Sequence, residues 1–260
     1  MAKLITVHAQ RQVATVTLNR PALHNALDEQ MMIELTHAFD HLAREDSVRV
    51  AVLAAQGKSF CAGADISWMK RMVDYSFDQN VADANILARM LRSIRECPKP
   101  VIARVHGAAI GGGVGLTAAC DLAVAVPAAV FCLSEVKLGI IPAVISPFVI
   151  EKIGPGHARR YALTAERFDA REAHRIGLLS HVAASEIEMD AWITSTCDTL
   201  CSNGPKALAA CKQVLTHVEG LQWDQVQAET ARRIAQIRVS PEGQEGLKAF
   251  LEKRKPGWAE

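Results

Sequence analysis

The chain has 260 residues, 50% of them hydrophobic and 22% charged, and carries a formal net charge of +1. A balance so close to neutral gives nucleic acid or another strongly charged partner nothing to grip, and no apolar run approaches the ~18 residues of a membrane span. The first residues also lack the apolar core and cleavage site of a secretory leader, so a cytoplasmic protein with no membrane partner is expected.

Residues 4–10 and 13–18 read as short strands joined by Arg11-Gln12, and Asn19-Arg20-Pro21 ends the second. Asp28 looks like the N-cap of a helix to about 43, with apolar Met32, Ile33, Leu35, Ala38, Phe39 and Leu42 at helical spacing. Residues 48–55 are β-branched and nearly all apolar, as in a strand buried on both faces. A short amphipathic segment at 66–73 and a longer helix at about 78–96 follow. Pro98 and Pro100 then open a strand at 101–105. A helix from about Gly112 to 119 and strands at 122–126 and 130–132 complete an alternation that implies a parallel sheet with helical crossovers. From Ala143 onward the pattern is almost all helix: 144–152, 156–164, 169–175, 186–202, 205–218, 221–237 and 241–253, interrupted only by strand-like 178–182. The expected organisation is an α/β core over 1–190 and a helical C-terminal region over 191–260.

The seven cysteines, at 61, 97, 120, 132, 197, 201 and 211, form no Cys-x-x-Cys pair and fit reduced thiols. No tight His/Cys/acid cluster is present, so no metal is expected. Gly57-Lys58-Ser59 lacks the glycine that a phosphate loop needs five residues earlier, where Val52 stands. The run Gly111-Gly112-Gly113-Val114-Gly115 does not complete a dinucleotide fingerprint, because Leu116 and Ala118 fall where its last glycine belongs.

Two small-residue segments carry the chemistry: Phe60-Cys61-Ala62-Gly63-Ala64-Asp65 and the stretch from Gly107 to Gly115. Small residues let a ligand approach the backbone, and two peptide N–H groups converging on one oxygen make an oxyanion hole. A helix opening at Gly112 turns its positive end and free N–H groups toward whatever precedes it. The plainer use of the same glycines is a tight turn that packs a helix on the sheet. Glu135, after the strand at 130–132, is either a surface carboxylate at a helix start capped by Ser134 or an acid–base group.

Five ordered motifs run through the chain. They are Asn19-Arg20-Pro21 with Asn25-Ala26-Leu27, the 60–65 segment, Gly107 with Gly111-Gly112-Gly113, Leu138-Gly139-Ile140-Ile141-Pro142, and Ala249-Phe250-Leu251-Glu252-Lys253-Arg254-Lys255. Together they resemble the enoyl-CoA hydratase/isomerase (crotonase) superfamily over essentially the whole length. Residues 134–147 are most similar to bacterial methylglutaconyl-CoA hydratases, which serve leucine catabolism and, as isohexenylglutaconyl-CoA hydratases, terpene catabolism. The resemblance implies a crotonase-like α/β fold of repeated ββα units with a helical C-terminal trimerisation region. It implies an acyl-CoA thioester substrate, and no cofactor beyond the CoA that the substrate carries. The N–H groups of Ala64 and Gly112 would hold the thioester oxygen. The 3′-phospho-ADP end of CoA would lie near Arg20, Ala22, Lys58, Ala62 and Ile66, with Phe250 and Lys253 contributed by an adjacent subunit of a homotrimer or dimer of trimers.

One departure stands out. Hydratases of this kind carry two glutamates, one where Glu135 stands and one three residues after the middle glycine, where this chain has Gly115. Hydration needs a base for water and an acid for Cα, so Glu135 is expected to serve as both, with water or a substrate carboxylate filling the space Gly115 leaves open. A Δ3,Δ2-enoyl-CoA isomerase using Glu135 as its one base, or a non-catalytic acyl-CoA binder, are the alternatives. A dicarboxylic acyl group would want a cation or donor at its far end, for which Lys70, Arg71, Arg104 and His106 are the candidates.

Overall fold

β1 (Ile5–Gln10) and β2 (Val13–Leu18) form an antiparallel hairpin, paired from Ile5 against Leu18 to Gln10 against Val13. A 3-10 turn at Pro21–Leu23 leads into α1 (Glu29–Leu42), whose N-cap Asp28 accepts from the Met31 N–H at 2.8 Å. The chain continues through β3 (Val50–Ala55), β4 (Ser59–Cys61), α2 (Ile66–Met72) and α3 (Phe77–Arg95), the last opened by a Ser76/Gln79 capping box. Next come β5 (Val101–Val105), β6 (Ala108–Ile110), α4 (Gly112–Ala119), β7 (Leu122–Ala125) and β8 (Val130–Cys132). A 3-10 turn at Glu135–Leu138 precedes α5 (Ser146–Thr164), β9 (Phe168–Asp169), α6 (Ala170–Arg175) and β10 (His181–Val182). The chain ends in α7 (Glu186–Ser202), α8 (Pro205–His217), α9 (Trp223–Val239) and α10 (Pro241–Leu251). These elements come from a computed structural model that describes residues 3–259; Met1 and Ala2, the approach to the first expected strand, lie outside the described residues.

The strands form a six-stranded sheet, β1-β2-β3-β5-β7-β10, and a four-stranded one, β4-β6-β8-β9. Three successive units share one plan. The first strand of each (β3, β5, β7) enters the larger sheet, the second (β4, β6, β8) enters the smaller, and helix follows. Within each sheet these strands pair in parallel. This is the expected α/β crotonase-like arrangement with a parallel core.

Burial on both faces of β3 follows from its sequence. Val50 and Val52 pack with Ile102, Val124 and the α7 residues Met189, Ile193 and Cys197, while Ala51, Leu53 and Ala55 join the main core with Leu35, Phe39, Ala103 and Val105. The short strands β4, β6 and β9 escape a reading by periodicity, since two or three residues show no period. The expected strand 178–182 shrinks to His181–Val182, because the N–H groups of Leu178 and Leu179 turn back to the Ala173 carbonyl. Helices expected at 144–152 and 156–164 form one run broken at Gly154, whose φ of +71° and ψ of 163° are not helical.

The boundary expected at 190 falls inside α7, and α7 buries Met189, Ile193 and Cys197 against the larger sheet. The next helix, α8, contributes no fully buried residue. That helix docks on the core through Lys212, whose Nζ donates to Asp121 Oδ2 at 2.7 Å, and through Thr216, whose hydroxyl accepts from Arg95 at 2.8 Å. Lys212→Met should cost about 1.5–3 kcal/mol, the range for a hydrogen bond to a charged group. Amide exchange should quicken over α8 before the sheet is affected; equal protection in both proteins would show that α8 is held otherwise. Among the described residues, no helix is long and apolar enough to cross a membrane, and no group of three or more His, Cys, Asp or Glu could hold a metal.

Candidate active site

Because β4, β6 and β8 are parallel neighbours, the loops that follow them leave the smaller sheet at the same end. Those loops carry Ala64, Gly112 and Glu135 respectively. The carboxyl ends of parallel strands are where open α/β sheets place their ligands, so topology alone gathers three groups that stand 71 residues apart from first to last.

Close contacts then fix the gathering. A Cβ on Gly113 would lie 2.4 Å from the Cys61 carbonyl, so only glycine lets the start of α4 rest on β4. Leu27 forms a parallel bridge with Ala64, and its side chain covers Gly112, where a Cβ would come within 2.9 Å of Leu27 Cδ1. At Gly111, with φ +50° and ψ −113°, a Cβ would stand 2.9 Å from Glu135 Oε1. The glycine run thus packs a helix on the sheet, as its plainer reading has it, and also brings backbone against the carboxylate. Neither the Ala64 N–H nor the Gly112 N–H finds an acceptor among the described residues. Free donors at a helix start and on the facing loop suit an oxygen that gains negative charge.

Glu135 opens the 3-10 turn at Glu135–Leu138, and Ser134 makes no side-chain cap bond, so the capped surface helix is not what forms. The residue is half-buried, and its Oε2 is buried without any hydrogen-bond partner. Burial pushes its carboxyl above the ordinary 4.5, against a smaller opposing contact with its own N–H. A buried carboxylate oxygen without a partner, beside the turn that opens α4, makes Glu135 a candidate acid–base group. Cys61, the last residue of β4, suits a nucleophile poorly, since burial lifts its thiol to about 12.

The space beside Gly115 is not open. A Cβ there would lie 2.5 Å from Ile145 Cγ2 and 3.8 Å from Leu91 Cδ1, and both side chains are buried. The expectation of water or a substrate carboxylate at this point is corrected: an isoleucine from 30 residues downstream fills it. Ile145 also lines an apolar pocket of about 290 Å³, together with Leu133, Pro142, Val149 and Ala158.

Ala22, Lys58, Ala62 and Ile66 share an exposed rim beside the Ala64 loop. The Ala62 N–H donates to the His24 carbonyl at 3.0 Å, and Gly57 abuts Pro21. Arg20 does not join them; its guanidinium turns inward to Asp28 and Asp65, 2.9 Å from each. Phe250, which is 81% exposed, and Lys253 lie at the end of α10, which packs on α8 and α9 and not on this rim.

Of the acyl-end candidates, Lys70 and Arg71 stand exposed on α2, directly after the Ala64 loop. Arg104 and His106 belong elsewhere. On β5 the odd-numbered residues face the main core, so Arg104 points to α7 and pairs with Asp190 and Glu186, while His106 Nε2 lies 2.8 Å from the Gly57 carbonyl. Both line a cleft of about 1070 Å³ between the hairpin and α7, and none of Ala64, Gly112 or Glu135 lines it.

A model of the family described as enoyl-CoA hydratase/isomerase matches residues 8–260. A crystal structure of an enoyl-CoA hydratase from Shewanella pealeana is 44% identical, covers 98% of this chain and 96% of its own, and superposes with a TM-score of 0.95. The 2,3-dehydroadipyl-CoA hydratase of Escherichia coli is 32% identical over 98% of both chains. A peroxisomal Delta(3,5)-Delta(2,4)-dienoyl-CoA isomerase of Arabidopsis thaliana is also 32% identical, over 99% of this chain and nearly all of its own.

Proposed function

This chain belongs to the enoyl-CoA hydratase/isomerase family, and from that premise we propose that it is a hydro-lyase adding water to a 2-enoyl-CoA to give the 3-hydroxyacyl-CoA. The observation that carries the reading is the buried, unpartnered Glu135 Oε2 at the strand end shared with two free amides. Glu135 takes a proton from water as the water oxygen bonds to Cβ. The Cα=Cβ electron pair moves into the thioester, whose oxygen is held by the Ala64 and Gly112 N–H groups. The enolate then collapses, and Cα takes the proton back from Glu135. Water's two parts add to the same face, because one carboxyl handles both transfers. Members of this family need no cofactor beyond the CoA of the substrate.

The acyl group we assign is 3-methylglutaconyl or the related isohexenylglutaconyl group, on the likeness of residues 134–147 and with Lys70 or Arg71 as the cation for its carboxylate. Ala22, Lys58, Ala62 and Ile66 form the rim for the 3′-phospho-ADP end. Phe250 and Lys253 reach it from a neighbouring subunit of a homotrimer or a dimer of trimers. The apolar residues exposed on the last two helices, Val239, Leu247 and Leu251 among them, support such an assembly. The seven unbridged cysteines fit a reducing cytoplasm.

A second reading has its own support. With the place of a second acid closed by Ile145, a lone Glu135 also suits Δ3,Δ2-enoyl isomerisation, in which one base carries a proton between carbons. The purified protein should be assayed on 3-methylglutaconyl-CoA, crotonyl-CoA and a 3-enoyl-CoA. Loss of conjugated-thioester absorbance on the first two is expected. A gain on the third alone would replace the hydratase reading with the isomerase, and binding without turnover on all three would overturn both.

A further inference from the structure

We propose that Arg20 is a positioning residue, whose guanidinium locks Asp28 to Asp65 and thereby sets the direction of the Ala64 N–H at the oxyanion hole. The inference rests on the reading of Ala64 as a donor to the thioester oxygen.

Arg20 is spent inside the protein. Its Nη1 donates to the Ala26 carbonyl at 2.8 Å and meets Asp28 Oδ2 at 2.9 Å, while Nη2 meets Asp65 Oδ2 at 2.9 Å. The side chain is only 13% exposed. Each carboxylate has a second task on its other oxygen. Asp28 Oδ1 caps α1, and Asp65 Oδ1 caps α2 by accepting from the Ser67 and Trp68 N–H groups. One guanidinium therefore ties together the starts of two helices from different parts of the chain.

Between those helix starts lies the Ala64 peptide. Leu27 donates to the Gly63 carbonyl at 2.7 Å and accepts from the Asp65 N–H at 2.8 Å, so the backbone on either side of Ala64 is fixed. What remains is the N–H of Ala64 itself, turned away from Leu27 and free. The clamp holds both ends of this bridge: Asp28 follows Leu27, and Asp65 follows Ala64. Arg20 is held in turn by buried Asn25, whose Oδ1 accepts from the Arg20 N–H at 2.8 Å. Burial pushes the Asp65 carboxyl upward, but the α2 N–H groups and Arg20 together hold it below the ordinary carboxylate range. Without Arg20 the Asp28 and Asp65 carboxyl groups would face one another across the bridge with no cation between them. A donor displaced by ~1 Å loses about 10²-fold in rate, so the clamp is worth having although it touches no substrate.

The test separates positioning from phosphate binding and from the oxyanion reading. Crotonyl-CoA bound to Glu135→Gln, in which turnover should be about 10²–10⁴-fold slower, should show a red-shifted absorbance from its polarised conjugated thioester. In Arg20→Gln/Glu135→Gln that shift should largely vanish, while adenosine 3′,5′-bisphosphate binds both proteins equally. In the Arg20→Gln single variant kcat should fall about 10–100-fold with KM moving less than about threefold. Arg20→Lys, a point charge without the fork, should recover only part of both. No shift in Glu135→Gln itself overturns the oxyanion reading and the proposal with it. A shift that survives in the double variant overturns the positioning role alone, and weakened bisphosphate binding would return Arg20 to the CoA rim. Should Arg20→Gln not fold, Asp28→Asn keeps the α1 cap and opens one side of the clamp; an undiminished shift there overturns the proposal equally.

Discussion

Glu135→Gln should lower turnover by about 10²–10⁴-fold, the worth of a positioned acid–base group, while acyl-CoA binding stays nearly unchanged. The amide keeps the shape of the carboxylate but cannot take a proton from water. The same variant should be more stable than the parent at neutral pH. The folded carboxyl titrates above its ordinary 4.5 because burial disfavours the charge. Between the unfolded and folded values the folded chain therefore binds more protons, and stability falls as pH rises through that window. Its contribution is fully present below the unfolded value and is lost as pH climbs through the folded one. Activity runs the other way over the same window, since only the ionised group accepts a proton. Thermal unfolding and initial rates from about pH 4 to about pH 8 bracket the window. Glutamine should flatten the pH dependence of the melting temperature contributed by this site. Unchanged turnover would remove Glu135 from the chemistry altogether.

Gly115→Glu should not supply the second acid; it should destabilise the protein by at least about 1–3 kcal/mol, the cost of overpacking a filled core. The first added carbon would already stand 2.5 Å from Ile145 Cγ2 and 3.0 Å from Ile145 Cβ. The gain from replacing glycine within a helix, about 0.5–1 kcal/mol, is too small to offset that clash. Ile145→Ala alone should cost about 2–5 kcal/mol by leaving a cavity. Joined in one chain, the two changes should cost less than their sum, since each relieves the other. If hydration is limited by its single carboxyl, the double variant should hydrate crotonyl-CoA faster than either single variant. Urea unfolding supplies the stability arm. A Gly115→Glu protein as stable as the parent would mean that Ile145 is not what closes the site.

How much of this could be read from the sequence depended on the range of the interactions involved. Asp28 announced α1 and the apolar run announced β3, because a cap and a doubly buried strand are written in a few neighbouring residues. Ala64 as a donor comes only from family likeness, whereas Gly112 and Glu135 also stand out in the residues themselves; the strand order that joins the three is invisible locally, for β4 and β6 are only three residues each. Arg104 and His106 were misplaced for a related reason. Alternation along β5 separates two sets of side chains, but only the packing of α7 tells which set looks away from the site. Family likeness alone set Arg20 at the phosphate end of CoA, and its two carboxylate partners, 8 and 45 residues away, leave no local sign of the inward turn. Ile145 gave no local sign at all of the glycine it covers.

Each of the three strand–strand–helix units carries one of the three proposed groups, always just after the end of its second strand. The stretches that return the chain to the larger sheet differ widely, α2 and α3 spanning 66–95 and α4 only eight residues. Position at the centre is thus decoupled from length at the periphery. The first crossover can grow, shrink or change its lining to suit a different acyl tail while the amide of Ala64 keeps its place. A variant library confined to that crossover should alter which thioester is preferred without altering how the carbonyl is held.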